Sequence, residues 1–211
     1  MNFSQKKIYN YCAEHTTPVS EVLRKLERAT NLKTLAPQMA SGAFQGKLLE
    51  MLVRMSKPKN VLEIGTFTGY SSICIGYALP DGARLQTIEV NRELQNIISE
   101  HIEMSGLSEK IITHVGDALE IIPTLDMKFD MVFIDAGKRD YGIYYDSIID
   151  MVNPNGIILA DNVLWSGKVV DKNKDNDTRI IDDFNKKVYN DARVENITLP
   201  IRDGLTIAIK K

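Results

Sequence analysis

From residue 60 onward the chain repeats one unit, a short apolar run, a turn and a helical stretch. Apolar runs fall at 60–64, 84–90, 111–115, 131–134 and 156–160. Helical periodicity falls at 71–78, 92–105, 141–151 and 178–190. Strands joined by crossovers of this length pair in parallel, and the connecting helices cover both faces of the sheet. Two further runs, 193–199 and 205–209, are separated only by Pro200 to Gly204. That connection makes a hairpin and not a crossover, so the last strand is expected to run antiparallel to its partner. The first sixty residues read as helices. Thr17-Pro18 precedes a start at Ser20 with Val22, Leu23 and Leu26 apolar, and 41–55 carries Phe44, Leu48, Leu49, Leu52 and Val53 on one face. The expected class is α/β. No repeat, low-complexity tract or linker divides the chain, so 1–211 is expected to form one domain, with helices at 1–58 and a sheet core at 59–211.

Composition weighs against several partners. A chain of 211 residues, 44% of them hydrophobic, can bury a sizeable core. A net charge of −2 supplies no broad basic field for binding many phosphates. Cys12 and Cys74 are far apart and lack metal or redox spacing, which points to two free thiols in a reducing compartment. Met1 to Lys7 has no apolar signal core, and no window approaches the ~18 apolar residues of a membrane span. The expectation is a cytoplasmic protein without a membrane partner.

In an open parallel sheet, ligands sit outside the carboxyl ends of the strands. Glu63, Glu89, Asp117, Asp135 and Asp161 all stand at such ends, so they are expected to converge on one crevice. Gly65 and Gly69 follow the first run and suit a turn that lets backbone approach a ligand closely. Their spacing departs from G-x-G-x-x-G, and the turn carries an acid and no base, which disfavours phosphate. Glu89 is positioned to accept hydrogen bonds from ribose hydroxyls.

Asp135, Asp161 and Asn162 follow two apolar runs directly and offer three oxygen donors to a hard divalent ion. Magnesium fits best, and the donor set does not distinguish it from manganese or calcium. The plainer alternative, less favoured by the spacing, makes Asp161 a helix or turn cap and Asn162 a turn residue. His15, His101 and His114 lie far from these positions, which argues against zinc. Lys138, three residues after Asp135, puts an amine beside this cluster. A free lysine titrates near ~10.4, too high for a base at neutral pH, and a neighbouring cation lowers that value. An exposed loop lysine is the plain alternative. Trp165, just after Asn162, suits either ring stacking or rim packing. Tyr141, Tyr144 and Tyr145 recur at helical spacing and read as packing.

Together these motifs resemble the cation-dependent class I S-adenosylmethionine O-methyltransferases, the group of catechol and caffeoyl-CoA O-methyltransferase-like enzymes. The resemblance runs from about Leu35 to Lys211. It rests on Met39-Ala40-Ser41-Gly42, Glu63-Ile64-Gly65-Thr66-Phe67-Thr68-Gly69-Tyr70-Ser71, Ile88-Glu89, Gly116-Asp117-Ala118, Ile134-Asp135-Ala136-Gly137-Lys138, Ala160-Asp161-Asn162, Phe184-Asn185 and Asp203-Gly204-Leu205. It implies a Rossmann-like fold of seven strands, mostly parallel, with a reversed last strand. It further implies that Met39, Ser41, Glu63, Gly65, Tyr70 and Ser71 surround the methionine half of S-adenosylmethionine, with Glu89 on the ribose, Asp117 and Ala118 at the adenine, and Asp135 at the cofactor as well as the metal. Asp135, Asp161 and Asn162 would bind Mg2+, and Lys138 would be the catalytic base. Gly137 replaces a larger side chain of the animal catechol enzymes, and 168–177 has no counterpart there. The long amino-terminal extension of the plant enzymes is missing, which disfavours a coenzyme A ester. The implied acceptor is a vicinal dihydroxy phenol, and the implied assembly a homodimer. A tRNA wobble hydroxyuridine is the alternative acceptor, for which Lys33, Lys168, Lys172, Lys174 and Arg179 would supply part of a basic rim. A nicotinamide dehydrogenase is disfavoured by the glycine spacing.

Overall fold

A computed structural model describes residues 3–211. Met1 and Asn2, the start of the stretch expected to hold no signal core, lie outside the described residues. Three helices open the chain: α1 (Phe3–Glu14), α2 (Glu21–Lys33) and α3 (Gly42–Ser56). The Ser20 hydroxyl caps α2 by accepting from the Leu23 amide, satisfying a donor that the first turn leaves unpaired. Leu23 and Leu26 are fully buried and join α3 and the sheet in one apolar cluster. Each such side chain contributes about 1.5–3 kcal/mol on leaving water.

The expected alternation follows as β1 (Asn60–Ile64), α4 (Tyr70–Ala78), β2 (Arg84–Glu89), α5 (Gln95–Met104), β3 (Ile111–Val115), α6 (Ala118–Ile121), β4 (Phe129–Ile134), α7 (Tyr141–Ile148), β5 (Val152–Asp161), α8 (Asn176–Asn190), β6 (Val194–Leu199) and β7 (Leu205–Lys210). The seven strands form one sheet in the order β3-β2-β1-β4-β5-β7-β6. β1 through β5 pair in parallel, and β7 runs antiparallel to both β5 and β6. The reversed last strand and the Rossmann-like class stand as expected. Two apolar clusters occupy the two faces. One holds Leu49, Val53, Ile73 and Phe133, and the other holds Leu62, Val132, Tyr145, Ile181 and Phe184.

Several boundaries differ from those expected from the sequence. The stretch 92–105 begins as a 3-10 turn at Arg92–Leu94, capped by the Asn91 side chain, before α5 starts. α6, one turn long, was not expected. β5 begins at Val152 and not at 156, and α8 begins at Asn176, where the Asp175 carboxylate accepts from the Thr178 amide. After β5, Trp165–Val170 forms a 3-10 turn with left-handed backbone at Ser166 and Gly167.

Candidate active site

The order of the sheet reverses at β1, whose neighbours are β2 and β4. A crevice opens at such a reversal beyond the carboxyl ends of the strands. The turn leaving β1 lies there. The amides of Gly65 and Thr66 both donate to the Ile88 carbonyl, at 3.0 and 3.1 Å, so the turn is tied to the end of β2. Gly65 has a φ of +103°, and a Cβ there would overlap the Asp135 carbonyl oxygen and stand 2.7 Å from its carbon. No other residue fits that close approach. Glu89 holds the next part of the turn, accepting from the Phe67 amide at 2.6 Å and the Asn91 amide at 2.8 Å. Burial raises its carboxyl, against those hydrogen bonds.

A cavity of about 550 Å³ fills the crevice. Of the residues expected at the site, Met39, Ser41, Gly65, Tyr70, Ser71, Glu89, Asp117, Ala118, Asp135, Lys138 and Asn162 line it, as does Trp165. Glu63 and Asp161 do not. Glu63 lies beneath the turn, fully buried, where its Oε2 accepts from Ser72 and from Thr87 (2.6 Å) while Oε1 has no partner. Burial pushes this carboxyl up to about 7, against the opposing pull of the neighbouring Ser71, Ser72 and Thr87 hydroxyls. Tyr70 lines the cavity as the first residue of α4, but its ring packs toward α3, so a Cβ at Gly46 would stand 3.0 Å from it. Asp117 caps α6, accepting from the Leu119 amide at 2.9 Å.

The second group assembles at the ends of β4 and β5. Ile134 pairs with Ala160, so Asp135 and Asp161 leave adjacent strands side by side. Lys138 donates to Asp135 Oδ1 at 3.0 Å and to the phenol of Tyr141 at 2.6 Å. Tyr141 is completely buried, and its own hydroxyl reaches the carbonyls of Ile134 (3.2 Å) and Asp161 (3.1 Å). Helical spacing marks this tyrosine only as a packing residue. It packs, and it also anchors the lysine. Burial raises the Asp135 carboxyl, with the Lys138 charge opposing and the Asp161 charge adding to the rise. Among the described residues, no three His, Cys, Asp or Glu side chains gather into a metal cluster. The set here is two carboxylates and an amide, with Asn162 held in the left-handed region at φ 59°. Hard oxygen donors on buried, mutually repelling carboxylates fit a small divalent cation, which relieves the repulsion.

Three features escaped the sequence reading. Gln45, buried on α3, donates to Asp161 Oδ2 at 2.9 Å. Arg202, on the β6–β7 turn, donates to the same glutamine's Oε1 and stands 3.8 Å from Asp161. That turn also clasps the segment after β5: Asp203 accepts from the Ser166 and Leu164 amides, and Gly204 accepts from the Val163 amide. No local motif signals partners so distant in the chain. A smaller cavity, about 290 Å³, adjoins the first across Gly137, Lys138, Asp140 and Trp165, and extends to Arg139, Asp177 and Ile180.

Residues 13–211 match the family described as O-methyltransferase, so the match begins earlier than the motifs did. Caffeoyl-CoA O-methyltransferase 2 of Petunia hybrida is 38% identical over 182 residues, covering 80% of this chain and 75% of that one. Tricin synthase 2 of Oryza sativa subsp. japonica is 34% identical, covering 89% of this chain and 68% of that one. Among solved structures, the O-methyltransferase TomG from Streptomyces achromogenes, in complex with SAM, has a TM-score of 0.91 at 32% identity and full coverage of both chains. An O-methyltransferase from Bacillus cereus in complex with SAH has a TM-score of 0.90 at 27% identity, covering 97% of each chain. Read with the glycine turn at the sheet's reversal point, these likenesses make the chain a member of the S-adenosylmethionine-dependent O-methyltransferase family, of the caffeoyl-CoA O-methyltransferase type.

Proposed function

We propose that the protein transfers the methyl of S-adenosylmethionine to one hydroxyl of a vicinal dihydroxy phenol, with Mg2+ held by Asp135, Asp161 and Asn162 and Lys138 as the base. The observation that carries this reading is the pairing of Lys138 with Asp135 and Tyr141 at the cavity wall. When bound, S-adenosylmethionine supplies an electrophilic methyl and the divalent ion a Lewis acid for the acceptor oxygens. Lys138 takes the proton of the reacting hydroxyl, and Tyr141 keeps the amine at that hydroxyl. Met39, Ser41, Glu63, Gly65, Tyr70 and Ser71 serve the methionine half of the cofactor, Glu63 and Tyr70 from behind the turn. Glu89 receives the ribose, Asp117 and Ala118 flank the adenine, and Asp135 adjoins the cofactor as well as the metal. The crevice is the place where cofactor and acceptor would be brought to near-attack distance. Trp165, shared by both cavities, is the surface on which the acceptor ring lies.

Three of the five cations that could face tRNA are already paired: Lys33 with Glu100, Lys168 with Asp175 and Lys174 with Asp182. This favours the small acceptor. Among the described residues, no helix is long and apolar enough to cross a membrane, and Cys12 and Cys74 are unpaired thiols. The free thiols support a cytoplasmic setting. Residues 1–211 act as one unit in this reading. Leu32, Met51 and Met55, exposed on α2 and α3, suit a homodimer contact.

The test is methyl transfer from labelled S-adenosylmethionine to a panel of catechols and to undermodified tRNA, each with magnesium and with chelator. Magnesium-dependent labelling of catechols is the expected result. Labelling confined to tRNA, or undiminished by chelator, overturns the acceptor or the metal assignment respectively.

A further inference from the structure

Gln45 is an amide in a place where burial makes hydrogen bonding obligatory. Its residue is only 3% exposed, on the face of α3 turned toward the end of β5. Both ends of the side chain are used. Nε2 donates to Asp161 Oδ2 at 2.9 Å, and Oε1 accepts from the Arg202 guanidinium. The network allows one amide orientation only. Turned over, the glutamine would set its oxygen against a carboxylate and its NH2 against a guanidinium. Asp161, itself 2% exposed, thus has one oxygen hydrogen-bonded by a neutral donor, with the guanidinium in ion-pair range but not hydrogen-bonded to it. Arg202 remains 3.8 Å from that oxygen.

This arrangement suits a carboxylate that must keep its charge and its orientation for another cation. A guanidinium hydrogen-bonded directly to Asp161 would occupy the carboxylate oxygen that the amide now holds. The interposed amide aims the carboxylate and holds the guanidinium back. Arg202 adopts a left-handed backbone, φ 51°, in the β6–β7 turn, and its neighbour Asp203 binds the Ser166 amide. The bridge therefore joins α3, the end of β5 and the hairpin turn around one oxygen atom.

We propose that Gln45 is a positioning residue that orients Asp161 for the divalent ion, with Arg202 locking the amide in its donating orientation. The inference rests on the metal reading above. Partners that orient a ligand in this way change metal affinity by about 10–100-fold when removed.

The experiment is Mn2+ binding to the full chain, followed by electron paramagnetic resonance in the presence of S-adenosylhomocysteine, for the wild type and Gln45→Met. Methionine keeps the length and approximate volume and removes both hydrogen bonds. Expected is Mn2+ affinity weaker by about 10–100-fold, with the fold retained by circular dichroism and S-adenosylhomocysteine affinity unchanged. Repeated in an Arg202→Met background, where nothing locks the amide, the same substitution should cost less. If Gln45→Met does not fold, Gln45→Leu carries the comparison. Unchanged Mn2+ affinity in a folded Gln45 variant overturns the proposal and leaves the metal site standing. Equal losses in both backgrounds overturn the role of Arg202. A wild type that binds no Mn2+ overturns the metal reading, and this inference with it.

Discussion

Replacing Glu63 by glutamine should change how the protein's stability depends on pH. Glu63 is fully buried, and burial lifts its carboxyl from 4.5 to about 7. Below pH 4.5 the group is protonated in the folded and the unfolded chain alike. Between 4.5 and about 7 the unfolded chain releases the proton and the folded chain keeps it. The unfolded state then binds fewer protons, so the stability from this group falls as pH rises, by ~1.4 kcal/mol per unit. Above about 7 both states are ionised and the loss is complete, on the order of 3 kcal/mol across the window. Glutamine cannot titrate. Whatever constant effect its NH2 group has at the unpartnered Oε1 position cancels when the two proteins are compared across pH. Urea unfolding of wild type and Glu63→Gln, without cofactor and with chelator, should show the variant gaining on the wild type by about 3 kcal/mol from below pH 4.5 to above pH 7. For a domain of this size that corresponds to roughly 6–12 °C in Tm. A difference between the two proteins that stays constant over this range would refute the reasoning and mean that the four-hydroxyl neighbourhood of Ser71, Ser72, Thr87 and Thr66 keeps the carboxylate ionised.

Lys138→Ala should lower kcat by about 10²–10⁴-fold with cofactor affinity intact; calorimetry showing lost cofactor binding and normal turnover at saturation would remove the base role. Asp135→Ala should bring turnover close to background through loss of the metal, and an undiminished rate in saturating magnesium would refute that assignment. Gly65→Ala should destabilise the fold by about 2–6 kcal/mol, because the new methyl meets the Asp135 carbonyl at a backbone angle that alanine avoids; a wild-type Tm would show that the β1 turn shifts without strain.

The parallel strands were legible because burial on both faces makes each one a continuous apolar run, as in Val132-Phe133-Ile134 and Ile157-Ile158-Leu159-Ala160. The early start of β5 was not. Asn153-Pro154-Asn155-Gly156 reads as a turn, yet Val152 pairs with Phe129 across an irregularity in register. There Asp130 compensates, accepting from the amides of Lys59 and Asn60 and from the Asn153 side chain. α6 has only four residues, too few for a helical period to show. Strand-end residues of the site could be named in advance because the sheet's reversal brings them together whatever lies between. Gln45 and Arg202 could not, being 116 and 41 residues from Asp161 and within no motif. Tyr141 was visible, but helical spacing reports only which face it occupies and not where its hydroxyl ends.

The clasp made by the β6–β7 turn bears on how the site comes into being during synthesis. β7 inserts between β5 and β6, so the sheet stays open at that edge until the final strand has left the ribosome. Until then Leu164 and Ser166 lack the partners that Asp203 provides, and Asp161 lacks the arginine that locks its glutamine. The crevice at β1 and β2 can form from early residues, whereas the segment carrying Asn162 and Trp165 waits for contacts of long sequence separation, which form late. A nascent chain halted before residue 200 would carry the glycine turn and most of the cavity wall without the contacts that tie down the segment of Asn162 and Trp165, so that part of the crevice is ordered only once the hairpin has formed.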